Sequence, residues 1–176
     1  MELKATVSMK GAIFDGKAPE IIRKDLLSAM YEATRMLERK VKLKTPKGVF
    51  GSEAGLYKTI YGEVVQHGTA VVGNVGHGMK YGDVIEYGRS PGKKPPPIAP
   101  LQRWIEFKGI TITDKKTGKA LSSRTIAFMF SRSIGKKGFP GVHMFENAFV
   151  ENQGKLTEIF DRAGFDIAFH LSEDKS

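Results

Sequence analysis

Four histidines, His67, His77, His143 and His170, are the side chains best suited to metal or acid–base chemistry in this sequence. His67 and His77 lie in or near Gly-rich turns, and a hairpin between them could bring the two rings together. A zinc site there has little support, because the chain has no cysteine and no H-E-x-x-H or comparable ligand spacing. Ser90 and Ser131 do not sit in a G-x-S-x-G elbow, and no acid–base partner is implied for them by spacing. The phosphate-binding patterns G-x-x-x-x-G-K-[ST] and G-x-G-x-x-G are both absent. Gly73-Asn-Val-Gly76-His-Gly78 is a glycine cluster between strands, not a strand-to-helix phosphate loop. Asp83 and Glu86 read as residues of one strand. Their odd separation puts them on opposite faces, so they make a poor carboxylate pair. Glu86 reads instead as a cross-strand or interface ion partner. The expectation is a protein with no catalytic site, no metal and no cofactor.

Charge supplies a different signal. The net charge of the 176 residues is +9. Residues 80–140 hold 13 Lys/Arg against 4 Asp/Glu, a charge of +9, whereas residues 141–176 hold 3 against 7, a charge of −4. A basic zone this concentrated points to an acidic partner, and phosphate contact without base reading is the form it favours. Two stretches place a Lys pair beside a Gly turn, Arg89-Ser-Pro-Gly-Lys93-Lys94 and Ser133-Ile-Gly-Lys136-Lys137-Gly; Lys115-Lys116 adds a third pair. No 18-residue apolar run marks a membrane span, and the N-terminus lacks the apolar core of a secretory signal. The absence of cysteine fits a reducing compartment.

The elements that must position these groups follow from periodicity. The chain reads as an N-terminal arm or edge strand over 1–18, a single domain over 19–171 and a flexible tail over 172–176. Pro19 opens a helix over about 19–44, with Ile22, Leu26, Met30, Ala33, Leu37 and Val41 as an apolar stripe. Residues 49–55 read as a loop. Strands are expected over 56–65, 69–75 and 79–87, forming an antiparallel meander. Gly62, Gly73 and Gly82 within them signal bulges or close backbone approach. A Pro-rich loop from Arg89 to Pro97 follows, stiffened by Pro95, Pro96 and Pro97. Helices are expected over 98–107, capped by Gly109, and over 123–134, capped by Ser122 or Ser123, with an apolar face of Ile126, Met129, Phe130 and Ile134. A small β excursion lies between them at 110–121. A final helical region spans about 143–171, with Gly154 and Gly164 as candidate kinks. The fold class is α+β: a small, mainly antiparallel sheet packed against the long N-terminal helix and the C-terminal helix, with projecting loops.

The order of these features resembles a known family. Lys44-Thr45-Pro46 ends the first helix, and Gly55-Leu-Tyr-Lys58 follows. Then come Lys80-Tyr-Gly-Asp-Val-Ile-Glu-Tyr-Gly88, the Pro-rich loop, and Phe139-Pro-Gly-Val-His-Met-Phe-Glu-Asn-Ala148. This is similar to the tail-completion and head–tail joining proteins of long-tailed phages, the group that includes lambda minor tail protein Z. The residues that carry the likeness are Tyr81, Ile85, Glu86 and Gly88 in the first stretch and Phe139, Phe145 and Ala148 in the second. It covers about residues 19–165.

The resemblance implies a non-enzymatic virion component at the neck or upper tail, made in the host cytoplasm. It implies a homo-oligomeric ring, a hexamer by family likeness, that contacts neighbouring neck or tail proteins and surrounds passing DNA. On that reading Arg89, Pro95, Pro96 and Pro97 belong to an intersubunit arm, and Lys93, Lys94, Lys136 and Lys137 face the DNA path. A sequence-nonspecific nucleic-acid-binding protein is the alternative.

Overall fold

A computed structural model of the chain describes residues 16–48, 55–68 and 70–173. Most of the expected N-terminal arm or edge strand at 1–18, most of the 49–55 loop and the last residues of the tail lie outside the described residues. The span 19–171 resolves into two compact units: Met1–Lys40, Gly62–Gly76 and Phe149–Ser176 form the first, and Val41–Tyr61 with His77–Ala148 the second. The class is α+β, with a long N-terminal helix, a C-terminal helix and a small two-stranded antiparallel sheet.

The first unit is built on helix α1 (Ala18–Lys44), which starts where Pro19 and Glu20 suit a helix N-terminus. Two of its faces are used. On one, Ala29 and Ala33 form a buried cluster with Ile159 and Ala163 of helix α7 (Gln153–Glu173), flanked by Met36 and Leu156. Alanine at the seam lets the two helix backbones come close. Arg162 donates to both carboxylate oxygens of Glu32 at 2.7 Å, and His170 Nδ1 lies 2.8 Å from Asp25 Oδ2, so the helices run antiparallel. The other face, one residue on, carries Met30, Thr34 and Glu38. Strands β1 (Ile60–His67) and β2 (Ala70–His77) form a hairpin. Its Gly62 N–H donates to Glu38 Oε2 at 3.1 Å. A Cβ on Gly62 would stand 2.8 Å from Thr34 Cγ2, and one on Gly73 would strike Thr34 and Met30. The strand glycines therefore serve close backbone approach to α1 rather than bulging.

The second unit holds a short helix α2 (Leu56–Thr59), helix α3 (Gly82–Tyr87), a two-residue strand β3 (Gly88–Arg89), helices α4 (Ile98–Lys108) and α5 (Ser123–Lys137), strand β4 (Phe139–Pro140) and the start of helix α6 (Met144–Glu151). Helices α4 and α5 bury Ile105, Ile126 and Ala127, with Leu101, Trp104, Ile112, Leu121 and Phe130 packed around them. Ser122 caps α5 by accepting from the Thr125 N–H at 3.2 Å, and Gly109 closes α4 in the left-handed conformation, both as the sequence indicates. The excursion at 110–121 is a β-bridge between Thr113 and Ala120 around an Asp114 turn.

Several expectations are corrected. Residues 79–87 are not a third strand, and the meander is a two-stranded hairpin. Tyr81, Val84, Ile85 and Tyr87 favour a strand by type. Tertiary contacts override that preference: Gly82 and Glu86, four residues apart, are the positions buried, which is helical spacing. Asp83 and Glu86 are therefore helical residues, and the odd-separation argument does not apply. Residues 56–59 form a helical turn before β1, closed by the Thr59 hydroxyl donating to the Leu56 carbonyl. Helix α5 runs through Gly135 to Lys137, and Met129 is exposed while Ala127, Ser131 and Gly135 are buried. Gly154 and Gly164 both lie inside α7 and do not interrupt it; the break falls at Asn152, between α6 and α7.

Candidate functional site

The two stretches that carry the family likeness meet in space. Glu86 is buried, 3 % exposed, on α3. Its carboxylate oxygens accept from the Phe145 N–H at 3.1 Å and the Glu146 N–H at 3.2 Å, in the first turn of α6. Those N–H groups have no partner inside their own helix, and a carboxylate at this end also complements the helix dipole. Glu86 is thus a cap supplied from 59 residues away, not a cross-strand ion partner.

The backbone completes the knot. Val142 N–H donates to the Ile85 carbonyl at 2.8 Å, and His143 N–H to the Glu86 carbonyl at 3.0 Å. Strands β3 and β4 pair antiparallel, Gly88 with Pro140 and Arg89 with Phe139. Gly88 sits at φ 80°, where a Cβ would lie 2.5 Å from the Gly141 nitrogen and the Phe139 oxygen. His143 is held at φ 52°, uncommon for a residue with a side chain, between these bonds and its own Nδ1 contact with Glu146 at 2.9 Å. His77 packs against Phe145, with ring centroids 5.9 Å apart, and its Nε2 lies 3.2 Å from Asp83 Oδ1. Met144 and Ala148 are fully buried, and Thr45 donates to the Met144 sulfur at 3.3 Å. Tyr81 is exposed, and its hydroxyl stands 3.4 Å from where a Cβ on Gly55 would lie.

The Pro-rich loop lies along α5. Gly92 N–H donates to the Gly135 carbonyl at 2.9 Å, and the Ser131 hydroxyl donates to the Pro96 carbonyl at 2.6 Å. The Arg89 guanidinium donates to the Lys94 carbonyl, turning the loop back on itself. A Cβ on Gly135 would stand 2.8 Å from Pro95 Cγ, which explains why a helix former is missing there. Pro95 and Pro97 keep an exposed side. The four lysines singled out by the sequence fall at this one end of the unit: Lys93 and Lys94 on the loop, Lys136 and Lys137 in the last turn of α5, all exposed. Lys136 and Lys137 sit on a helix end and not in a second loop. There their charge complements the C-terminal end of the dipole.

Three histidines stand beside carboxylates among the described residues: His77 beside Asp83, His143 beside Glu146 and His170 beside Asp25. His67 and His77 stand at opposite ends of the β1–β2 hairpin and do not meet, contrary to the hairpin expectation. A cavity of about 650 Å³ in the first unit is lined by Pro19, Ile22, Arg23, Leu26, Gln66 and Val71 among others, and its lining holds no nucleophile paired with a base. No group of three His, Asp or Glu residues is placed to hold a metal among the described residues. No helix among them is long and apolar enough to cross a membrane.

The role of Glu86 as a cap was not visible in the sequence, because it requires knowing that 82–87 is helical. The one available signal was a carboxylate amid apolar residues. No protein-family model, curated protein or solved structure matches this chain.

Proposed function

We propose that this chain is a structural protein of a long-tailed phage, completing or joining the tail at the neck or upper end as a ring around the DNA path. The observation that supports this reading is the Glu86 knot. The two stretches on which the resemblance rests are far apart in sequence, yet they bond to each other through Glu86, Ile85 and Gly88 on one side and Phe139 to Glu146 on the other. Two stretches shared with one family are expected to pack on each other within one core, and these do. The loop from Arg89 to Pro97 leaves directly from this knot and runs along α5, with Lys93 and Lys94 exposed. Lys93, Lys94, Lys136 and Lys137 then supply a diffuse positive surface suited to passing phosphate.

Antibody against the chain, applied to purified particles that contain it, should label the neck or upper tail. Label elsewhere on the particle, or none, overturns the reading. The alternative, a nonspecific nucleic-acid-binding protein, predicts salt-sensitive DNA binding by the monomer and no place on a particle.

A further inference from the structure

Two helices present exposed aromatic faces of opposite charge. On α5, Arg124, Phe128 and Arg132 recur every four residues and form one column. Phe128 is 52 % exposed, and Met129 beside it is exposed as well. The helix carries no Asp or Glu, and neither arginine has an ion-pair partner among the described residues. On α7, Glu158, Asp161, Phe165 and Phe169 line up at spacings of three and four, on the side away from Ile159 and Ala163. Phe165 is 78 % exposed and Phe169 55 %. Arg162 adds no free positive charge here, since Glu32 holds its guanidinium. An open groove of about 550 Å³ runs along this face, lined by Phe160, Asp161, Gly164, Phe165 and Ala168. Gly164 leaves it open: a Cβ there would meet nothing within 4 Å.

We infer that the occupant of the α7 face is helix α5 of a second copy of this chain. The spacing fits an antiparallel crossing. Setting Phe128 into the groove beside Phe165 places Arg132, four residues before it in that direction, against Asp161 and Glu158. It places Arg124 over the ring of Phe169, where a guanidinium is attracted to the aromatic face. Exposed aromatic residues rimmed by charge mark interaction surfaces, and the opposite charges fix the pairing: two α5 faces repel each other, as do two α7 faces. Lys136 and Lys137, one turn beyond Arg132, stay with the basic end and Lys93 and Lys94. Each copy offers one α5 and one α7, so the contact either closes a two-fold pair or propagates head to tail, and the proposed ring requires the second. The inference rests on the proposed ring only for closure of that chain of contacts.

The test is the solution mass of the purified protein across concentration, for wild type and charge-reversed variants. Wild type is expected to self-associate. Arg124→Glu with Arg132→Glu should weaken association at least tenfold, and so should Glu158→Arg with Asp161→Arg. Combining Arg132→Glu with Glu158→Arg and Asp161→Arg in one chain should restore it, and the two reversed proteins should associate when mixed, because the intact α7 of one meets the intact α5 of the other. All four positions are exposed, so circular dichroism should show unchanged folds. A wild type that stays monomeric overturns both the inference and the ring. A wild-type assembly indifferent to the reversals overturns the inference and leaves a ring built through other surfaces. A closed two-fold dimer sensitive to both reversals sustains the α5–α7 contact and removes the ring.

Discussion

The carboxylate of Glu86 caps the helix that begins at Phe145, across 59 residues of chain, with the N–H···O distance at 3.1 Å. This one bond joins the conspicuous Tyr-Gly-Asp-Val-Ile-Glu-Tyr-Gly stretch to the conspicuous Phe-Pro-Gly-Val-His-Met-Phe stretch. It explains why an acidic residue stands in a run of apolar ones: burial of a carboxylate is tolerated where two otherwise orphaned N–H groups receive it.

Glu86→Ala is therefore expected to destabilise the chain by about 1–3 kcal/mol, combining a lost helix cap with partly buried donors left unpaired. Glu86→Gln keeps one acceptor and the shape, and should cost about 1–2 kcal/mol on the same scale. Urea unfolding of the two variants checks this. Equal stability of Glu86→Ala and wild type would show that the Phe145 and Glu146 N–H groups find water instead.

Gly135→Ala gives a test with an inverted sign. At an exposed helix position this change stabilises, because alanine is the better helix former by about 1 kcal/mol. Here the added methyl would stand 2.8 Å from Pro95 Cγ and 3.3 Å from the Lys93 carbonyl oxygen. A proline ring pinned by the Ser131 bond to Pro96 cannot swing aside. The expected outcome is a loss of about 1–3 kcal/mol, the usual range for overpacking. Limited proteolysis between Arg89 and Pro97 should speed up as the loop lifts. A stabilised variant would mean that the loop does not rest on α5.

Glu106 links α4 to α5, accepting from the Ser123 hydroxyl at 2.7 Å and from Gln102 at 2.9 Å. The Ser123 hydrogen bond, with Gln102 second, holds its carboxyl below the ordinary range. A carboxyl depressed in the folded state adds stability above its unfolded pKa and loses it as pH falls through the folded one. The stability difference between wild type and Glu106→Gln should thus be constant at neutral pH and shrink on acidification through and just below the usual carboxylate range. A difference that does not change across that window would remove the two hydrogen bonds from the account.

Much of the fold was legible because its signals are local. Pro19 and the stripe after it gave α1, Ser122 gave the start of α5, and Gly109 the end of α4. What was not legible depended on partners. Val84 and Ile85 favour a strand by type, and only the positions of His77 and α6 around Gly82 and Glu86 make that stretch helical. Gly135 looked like a helix stop because glycine usually is one; it is instead a contact point for Pro95. Gly164 looked like a kink and is open space on a helix face. The basic end was legible from charge alone, yet its convergence was not. Lys93 and Lys136 lie 43 positions apart in the sequence, and the Gly92–Gly135 backbone bond brings their neighbours together.

Replacing Lys93, Lys94, Lys136 and Lys137 separates an electrostatic role from a structural one. The four side chains are exposed and have no ion-pair partner among the described residues. Substitution by Gln should change stability by no more than about 0.5 kcal/mol per site. Substitution by Glu should cost slightly more at 136 and 137, about 0.3–1 kcal/mol each, since a negative charge opposes the dipole at the end of α5. A surface that lets DNA pass needs screened, salt-sensitive attraction and not fixed bonds, so its strength should track total charge. If the chain has the proposed role at a phage neck, completion of infectious particles should fall in the order wild type, Gln variant, Glu variant, with the positions interchangeable. A contact with carboxylates of an adjacent protein predicts a different pattern: one or two lysines carry the whole effect, and the Gln variant fails as badly as the Glu variant. Graded, position-independent loss supports DNA, and an all-or-none loss at a single lysine rules the DNA reading out.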